Sequence, residues 1–213
     1  MKYYNSTHSG ESFIAAEPSA DEISLCSYTD CDFRRSDFTD VDTMFKCTFE
    51  RCDFTNAMLN GLTMKQCRFI DCAFKNTNFF AATLENCTMT GSDFRDADFT
   101  GVTLSGGDFS FANLYRLTFM KTDFSTVRFV GANLTETTFN TCVMRDCDFS
   151  EATFRQTSLF KCDVRGSDFS LCDLLEINFT GALLDLAQCV AIAEKISGGK
   201  YTPEDTSKRA PEK

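Results

Sequence analysis

Cysteine, histidine and aspartate are the residues of this sequence that could do chemistry, and their spacing argues against it. The chain carries 12 cysteines and a single histidine, His8. Zinc sites commonly use Cys-x-x-Cys pairs, and no such pair occurs. Recurring Asp-Phe pairs supply carboxylates, but neither a Ser/His/Asp set nor a glycine-rich phosphate loop accompanies them. We therefore expect no enzyme activity, no cofactor and no metal site.

A five-residue repeat organises these residues instead. From Cys47 to Leu184 a bulky apolar residue recurs at every fifth position, and a small residue precedes most of these by two places. The apolar series starts with Phe49, Phe54, Leu59, Met64, Phe69, Phe74, Phe79 and Leu84. A period of five fits neither an α-helix nor a flat strand.

Such a period indicates a solenoid. If each repeat forms one side of a square coil, the apolar residue and the small residue two before it both point inward. Four repeats then close a coil, so positions 20 apart stack at roughly the 4.8 Å spacing of paired strands. About seven coils between Phe49 and Leu184 give a rod roughly 34 Å long.

The cysteines follow this repeat. All except Cys189 occupy the small inward position, and Cys47, Cys67 and Cys87 are expected to stack in one column, as are Cys52 with Cys72 and Cys142 with Cys162. We interpret them as small buried apolar residues in a reducing compartment. The start of the chain, Met1 to Ala16, contains no apolar run typical of a signal peptide, so a cytoplasmic location is expected.

The chain divides into four segments. Residues 1–20 are expected to form a flexible N-terminal arm or cap, and 21–184 the β-helix. Between Asp40 and Lys46 the repeat slips by one residue, which predicts a bulge or kink. Residues 185–197 have helical apolar spacing, and 198–213 are polar and expected to be disordered.

This pattern resembles the pentapeptide-repeat family over most of the chain, from about Cys26 to Leu184. The resemblance implies an all-β fold, a right-handed quadrilateral β-helix, with a short C-terminal α-helix. In the topoisomerase-protecting members, the Qnr, MfpA and AlbG proteins, this end of the chain forms the dimer. By resemblance a homodimer is expected here through Leu186, Val190, Ala193 and Ile196; a monomeric cap is the alternative.

Charge on the outside of the rod is the remaining functional signal. The net charge is −10. We number the sides by their inward residues: the first side carries Phe49 and Phe69, the second Phe54 and Phe74, the third Leu59 and Phe79, the fourth Met64 and Leu84. Acids concentrate on the first two sides. Those expected to contact a partner are Asp53, Asp71, Asp93, Asp96, Asp108, Glu136, Asp148, Glu151, Asp168, Asp173 and Glu176.

An anionic rod can imitate duplex DNA, which presents about one charge per 1.7 Å of axis. The rod is sparser, with roughly one or two acids per 4.8 Å coil on those sides, and basic residues dilute it. By resemblance we expect binding to DNA gyrase or topoisomerase IV and resistance to quinolones or a gyrase-targeting toxin, with neither nucleic acid nor a membrane as a direct partner. Many Qnr proteins have loops that interrupt the coil; this chain has none in its repeat.

An apolar group on the third side supports the alternative of an interaction scaffold with another partner. Phe80, Met120 and Phe160 occupy the same outward place in alternate coils, and Met58 lies nearby. Scattered exposed apolar residues are common, so this group is either incidental or a protein-binding stripe.

Overall fold

The chain turns a corner every five residues, and this turn determines the architecture. At most corners the residue two places after the inward apolar residue has a positive φ, for example +52° at Arg51, +60° at Asn56 and +69° at Gly91. Left-handed residues cost about 1 kcal/mol or more unless they are Gly, Asn or Asp, which explains why those types recur at the corners. The computed structural model, which describes residues 3–202, is a right-handed, four-sided β-helix of about nine coils.

Short strands form the sides. They are β1 (Thr7–Ser9), β2 (Ala20–Ser24), β3 (Ser27–Thr29), β4 (Val41–Phe45), β5 (Thr48–Glu50), β6 (Thr63–Lys65), β7 (Arg68–Ile70), β8 (Thr83–Glu85), β9 (Thr103–Ser105), β10 (Thr118–Met120), β11 (Thr138–Asn140), β12 (Thr157–Phe160) and β13 (Ile177–Asn178). A 3₁₀ helix, Leu174–Glu176, and one α-helix, α1 (Leu186–Ser197), follow the C-terminal coils.

All strand pairings are parallel and run along the rod axis. The first side is the sheet β1-β3-β5-β7, the fourth side is β2-β4-β6-β8-β9, and the third side is β10-β11-β12-β13. In the described part of the chain, the second side is held by single bridges such as Asp53 to Ala73 and Ala73 to Asp93. Outside the register slip, residues pair with those 20 places on, as Phe49 does with Phe69, so the predicted coil length is confirmed.

The interior is filled by stacked rings. Phe33, Phe54, Phe74 and Phe94 form one column with successive centroids 4.8, 5.1 and 5.0 Å apart. Neighbouring columns meet edge to face, for example Phe49 against Phe54 at 5.3 Å. Both arrangements are favourable for aromatic quadrupoles, so phenylalanine suits equivalent positions in successive coils.

Thiols fill many of the small inward positions. Eleven of the 12 cysteines are buried, and Cys189 is exposed, as expected. Several thiols donate weak bonds to carbonyl oxygens of the preceding coil, for instance Cys47 Sγ to Ile23 O at 3.3 Å and Cys67 Sγ to Met44 O at 3.4 Å. Burial raises the pKa of Cys147 to about 12 and that of Cys172 to about 11, so these thiols stay protonated at neutral pH.

The N-terminal segment differs from the expectation. Residues 1–20 were expected to form a flexible arm or cap, but their described part adds a further coil: β1 pairs with β3, and Phe13 stacks on Phe33 at 4.9 Å. The same five-residue spacing continues back through Phe13, His8 and Tyr3. His8 stacks on Tyr28 at 4.9 Å, so an imidazole replaces an apolar side chain in the column and hides the repeat.

The register slip lies in β4. Asp37 pairs with Met58 of the next coil, an offset of 21, whereas Thr43 pairs with Thr63, an offset of 20. The buried residues Val41 and Met44 are three places apart instead of two, and Asp42 between them is exposed. A local bulge therefore absorbs the insertion without redirecting the later repeats.

Most of the C-terminal tail that was expected to be disordered, 198–213, lies outside the described residues. Among residues 3–202, no helix is both long and apolar enough to cross a membrane.

Candidate partner-binding surfaces

The described residues contain no cluster of three or more histidine, cysteine, aspartate or glutamate side chains that could hold a metal ion. His8 is occupied by hydrogen bonds to Glu11 Oε1 and Ser6 Oγ, both 3.0 Å long. The buried thiols face the interior of the rod. The surfaces that remain for function are the outward faces of the four sides and the helix at the C-terminal end.

Many aspartates on the first two sides have a structural role, because they stabilise the turns at the corners. The carboxylate before an inward Phe accepts the backbone N–H two residues later: Asp53 from Thr55 at 2.8 Å, Asp148 from Ser150 at 3.1 Å and Asp168 from Ser170 at 2.8 Å. This bond closes an Asx turn that leads into the corner. The spacing predicted solvent-facing carboxylates but not the turn, although the repeated Asp-x-Ser/Thr pattern signals it.

Ion pairs reduce the negative charge of the acidic sides. Asp93 contacts Arg95 at 2.6 Å, Glu136 contacts Arg116 at 2.6 Å, and Arg128 lies between Asp108 at 3.1 Å and Asp148 at 3.7 Å. Asp53 is 3.8 Å from Arg34. The second side carries nearly as many Arg and Lys as Asp and Glu, so its acids are largely compensated.

The pairing is visible in the pKa values. The hydrogen bond from Arg116 holds the pKa of Glu136 below its usual range. Burial raises the pKa of Asp93, but the bonds from Arg95 outweigh it and the net shift is downward. The Asp-Phe-Arg tripeptide could have predicted this contact, because residues two apart on one side point the same way.

Six of the expected acids make no ion pair within the described residues, and four of these lie in the last two coils. The six are Asp71, Asp96, Glu151, Asp168, Asp173 and Glu176. We call Glu151, Asp168, Asp173 and Glu176 the C-terminal acidic patch. It spans the first and second sides next to α1. Uncompensated acids are therefore concentrated at the C-terminal end of the rod, and only Asp71 and Asp96 of the six lie in earlier coils.

Helix α1 begins at a complete capping box. Asp185 accepts the N–H of Gln188 at 2.9 Å, and Gln188 Oε1 accepts the N–H of Asp185 at 3.0 Å. Gln188 Nε2 also donates to the carbonyls of Val164 and Ser167, at 2.7 and 3.0 Å. These bonds fix the helix across the end of the rod, and Gly198, with φ of +68°, terminates it.

The four residues expected to form a dimer interface point away from the rod or along its margin. Leu186 is 77% exposed and Ile196 is 71% exposed; Val190 is half-buried and Ala193 is exposed. No residue of α1 is fully buried in the single chain. The helix therefore presents an apolar face that the rod does not cover, and Tyr201 lies beside Leu186 and Val190 at one edge of it.

Between α1 and the last coil lies a cavity of about 240 Å³. Phe169, Phe179 and Leu184 line it from the rod, and Ala187 and Ile192 from the helix. The small alanine side chains leave part of the open end of the core uncovered. A 12-residue helix thus covers the last coil incompletely.

The third side exposes the apolar residues noted in the sequence. Phe80 is 51% exposed, Met120 63% and Met58 41%; Phe160 is half-buried, with Lys161 Nζ 5.0 Å from its ring centroid. The structure places the three residues of equal spacing in alternate coils on one face, as expected. Lys121 and Lys161 directly follow Met120 and Phe160, and Ala81 follows Phe80.

Comparison with solved structures identifies the fold. The full-length structure of QnrB1, a plasmid-mediated fluoroquinolone resistance protein, matches with a TM-score of 0.81 at 22% identity, covering 91% of this chain and 98% of that chain. HetL, a pentapeptide-repeat protein involved in heterocyst differentiation regulation from the cyanobacterium Nostoc sp. strain PCC 7120, matches with a TM-score of 0.65 at 16% identity, covering 86% and 91%. No curated protein matches the sequence.

Family models agree with the structural comparison. The model of the pentapeptide repeat region matches residues 42–114 and 92–158, and the model of eight pentapeptide repeats matches residues 147–185. These matches cover more than half of the chain and the same span in which the five-residue register is unbroken. The chain belongs to the pentapeptide-repeat family.

Proposed function

We propose that this protein is a non-enzymatic DNA mimic that binds DNA gyrase or topoisomerase IV and confers resistance to quinolones or to a gyrase-targeting toxin. The observation that carries the proposal is the near-complete overlap with QnrB1, a fluoroquinolone resistance protein, over 91% of this chain. At 22% identity this likeness concerns the fold, so the partner is proposed from the surface chemistry of the rod and must be checked by a supercoiling assay.

The C-terminal acidic patch is the part of the rod best suited to a DNA-binding surface. Its four carboxylates have no ion-pair partner among the described residues, whereas Asp93, Asp108, Glu136 and Asp148 are compensated by arginine. A basic saddle that binds DNA gains from uncompensated charge, because a paired carboxylate must first lose its arginine. We therefore assign the primary contact to this patch and a weaker one to the paired acids.

A two-fold dimer through α1 strengthens the mimic. The exposed apolar face of Leu186, Val190, Ala193 and Ile196 offers the contact, and the patch lies beside it. Pairing through this face brings two patches towards the centre of one longer rod. Isologous contact of this kind is the commonest way in which identical chains close a surface.

A supercoiling assay tests the proposal. Purified protein is added to DNA gyrase with relaxed plasmid, with and without a quinolone, and the concentration that changes supercoiling by half is measured. The Glu151→Lys/Glu176→Lys variant should require at least tenfold more protein. Both side chains are exposed and make no hydrogen bond or ion pair within the described residues, so the variant should fold.

The matched control is Glu22→Lys/Asp42→Lys, which changes the net charge equally at the other end of the rod, on the fourth side. It should behave like the native protein. If both variants lose potency equally, the effect on supercoiling depends on net charge and not on the C-terminal acidic patch. If the native protein affects neither topoisomerase, the proposal is wrong.

The dimer is tested separately by light scattering after size exclusion. The native chain should have twice the monomer mass of 23.9 kDa, and Leu186→Glu/Ile196→Glu should return it to the monomer. Phe80→Glu, at an exposed apolar position far from α1, should leave the dimer intact. A native monomer would remove the dimer but leave binding by a single rod standing.

The alternative function is an interaction scaffold with a partner other than a topoisomerase. The exposed Phe80, Met120 and Met58 on the third side favour it, because that surface is largely apolar and lacks the acids of the first two sides. The two functions separate in the assay above, since a scaffold of this kind leaves supercoiling unchanged.

A further inference from the structure

The third side carries an apolar column with a regular spacing. Phe80, Met120 and Phe160 each follow the inward residue of their repeat, and each is two coils from the next. Ring centroids in successive coils of this side are 4.8 Å apart for Phe79 and Phe99. The members of the column therefore stand about 10 Å apart along the rod axis.

The residues around the column leave Phe80 and Met120 exposed, whereas Phe160 is half-buried, with Lys161 Nζ 5.0 Å from its ring centroid. Short side chains, Thr100 and Asn140, fill the intervening coils. Beside Phe80 the adjoining corner carries Gly61, Ala81 and Gly101, which allow close approach of another backbone, and beside Met120 and Phe160 the same corner carries Lys121 and Lys161. The column thus forms three projections separated by gaps, with a low edge at its N-terminal end and lysines beside the rest.

The charge on this side is opposite to that of the rod as a whole. Between Met58 and Gly181 the side displays a single acid, Asp98, against Lys121 and Lys161. The two lysines share one corner column and are also two coils apart, so their positive charges repeat at the same distance of about 10 Å. An acidic partner is drawn to this side and repelled by the others.

We propose that the third side docks an amphipathic α-helix of a protein partner, lying along the rod axis, with an apolar residue at every seventh position and acids along the edge that faces Lys121 and Lys161. Seven residues of an α-helix advance about 10.5 Å, close to the spacing of the column. Over the two steps from Phe80 to Phe160 the mismatch is about 2 Å, within the reach of Met and Phe side chains.

A β-strand fits this surface poorly. The backbone groups of the third side are already paired along the axis, as in Phe119 with Phe139 and Phe139 with Leu159. A strand crossing the coils would place residues three apart against successive projections, and these point to opposite faces. A polyproline segment, with about 9.3 Å per three residues, is the extended rival that the experiment must separate.

The surface is independent of the proposed topoisomerase contact, which uses the first and second sides. Charge reversal at Glu151 and Glu176 is expected to leave helix docking unchanged, so failure of one proposal does not imply failure of the other.

A designed peptide tests the spacing. The probe is a fluorescein-labelled helical 22-mer with leucine at positions 4, 11 and 18, glutamate along one flank and alanine or glutamine elsewhere; binding to the full chain is measured by fluorescence anisotropy. A second peptide has the same composition with leucines five apart. A third is proline-rich, with an apolar residue at every third position. We expect the seven-residue spacing to bind at least tenfold more tightly than either.

Variants of the protein locate the contact. Phe80→Ser/Met120→Ser should weaken binding of the peptide with leucines seven apart at least tenfold. Lys121→Glu/Lys161→Glu should also weaken its binding, and this loss should be larger at low salt than at high salt. The matched control, Phe111→Ser/Leu171→Ser, removes exposed apolar residues from another corner and should have no effect. Equal binding of all three peptides, preference for the proline-rich one, or loss in the control alone would overturn the proposal.

Discussion

At the residue scale, orientation decides what a side chain contributes. Phe79 and Phe80 are neighbours of the same type in the same repeat. Phe79 is fully buried and stacks on Phe99 at 4.8 Å, whereas Phe80 is 51% exposed on the third side. Because alternate residues of each side point in and out, one ring holds two coils together and the next remains available to a partner.

The pair gives a direct test of the filled core. Phe79→Ala removes a stacked ring from a closely packed column and should lower the free energy of unfolding by about 3–5 kcal/mol. Phe80→Ala should change it by less than about 0.5 kcal/mol. Urea denaturation followed by circular dichroism measures both. Equal losses in the two variants would mean that the inward and outward assignments are wrong.

Asp163 shows how a carboxylate can belong to the rod rather than to a partner. Its side chain is only 11% exposed, and it contacts Arg165 at 2.7 Å and Arg145 at 2.6 Å. Hydrogen bonds from Arg165 and Arg145 hold the pKa of Asp163 well below its usual range, against the opposing effect of burial. Two guanidinium groups thus stabilise one charge on the fourth side.

This pairing predicts an acid-dependent loss of stability. Because the folded pKa is lowered, the contribution is complete above the ordinary aspartate pKa of about 3.9 and is lost as the pH falls below it. Asp163→Asn should cost about 1–2 kcal/mol at pH 7, and the cost should shrink steadily as the pH falls below about 4 towards the lowered pKa of the folded chain.

Asp123→Asn is the matched control. Asp123 occupies the same place two coils earlier and bonds only to Ser125 in the described structure, at 2.9 Å from its N–H. Between pH 7 and pH 4 the melting temperatures of Asp163→Asn and the native chain should differ by a constant amount, and from pH 4 to pH 2 the difference should narrow. Parallel curves would show that the ion pairs do not stabilise the fold.

At the element scale, the five-residue spacing predicts the features that recur with it. These are the coil length, the inward residues and the buried thiols; the change to helical spacing after Leu184 predicts that α1 starts at Asp185. The N-terminal coil was not predicted, because His8 and Pro18 occupy positions where an apolar residue marks the repeat elsewhere. The ion pair of Glu136 with Arg116 was not predicted, because a contact between neighbouring coils depends on how far the two side chains reach, which a period of five does not specify.

The capping box of α1 joins the helix to the rod, so its loss should release both. Asp185 accepts the N–H groups of Gln188 and Gly166, each at 2.9 Å, and these bonds hold its pKa below the usual range. Asp185→Ala should destabilise the helix by about 1 kcal/mol, whereas Asp185→Ser retains a cap and should cost less.

Hydrogen exchange of the α1 amides measures this loss. Protection should fall in Asp185→Ala and remain near native in Asp185→Ser, with the amides of β5 and β7 unaffected in both. Unchanged protection of α1 in Asp185→Ala would show that packing of Ile192 on the core, rather than the cap, holds the helix.

At the scale of the whole molecule, stability is divided among nearest neighbours. Each coil contacts only the coils before and after it, and the same parallel pairings repeat from coil to coil along the rod. Solenoids of this kind have a stability close to the sum of their units and the interfaces between them. Removing a complete coil should therefore shorten the rod without abolishing it.

Deletion of 85–104 tests this property, because it joins Leu84 to Ser105 and keeps every later residue on its own side. The variant should remain folded, with its longest dimension by small-angle scattering shorter by about 5 Å. Deletion of 85–102 removes two residues fewer, yet it shifts every later residue by two places and turns Phe109 and Phe129 from inward to corner positions. That variant should aggregate or unfold. The bulge at Asp42 shows that a coil can accommodate one extra residue, so the test uses a shift of two places. If both deletion variants fold with equal stability, the five-residue register does not determine the fold.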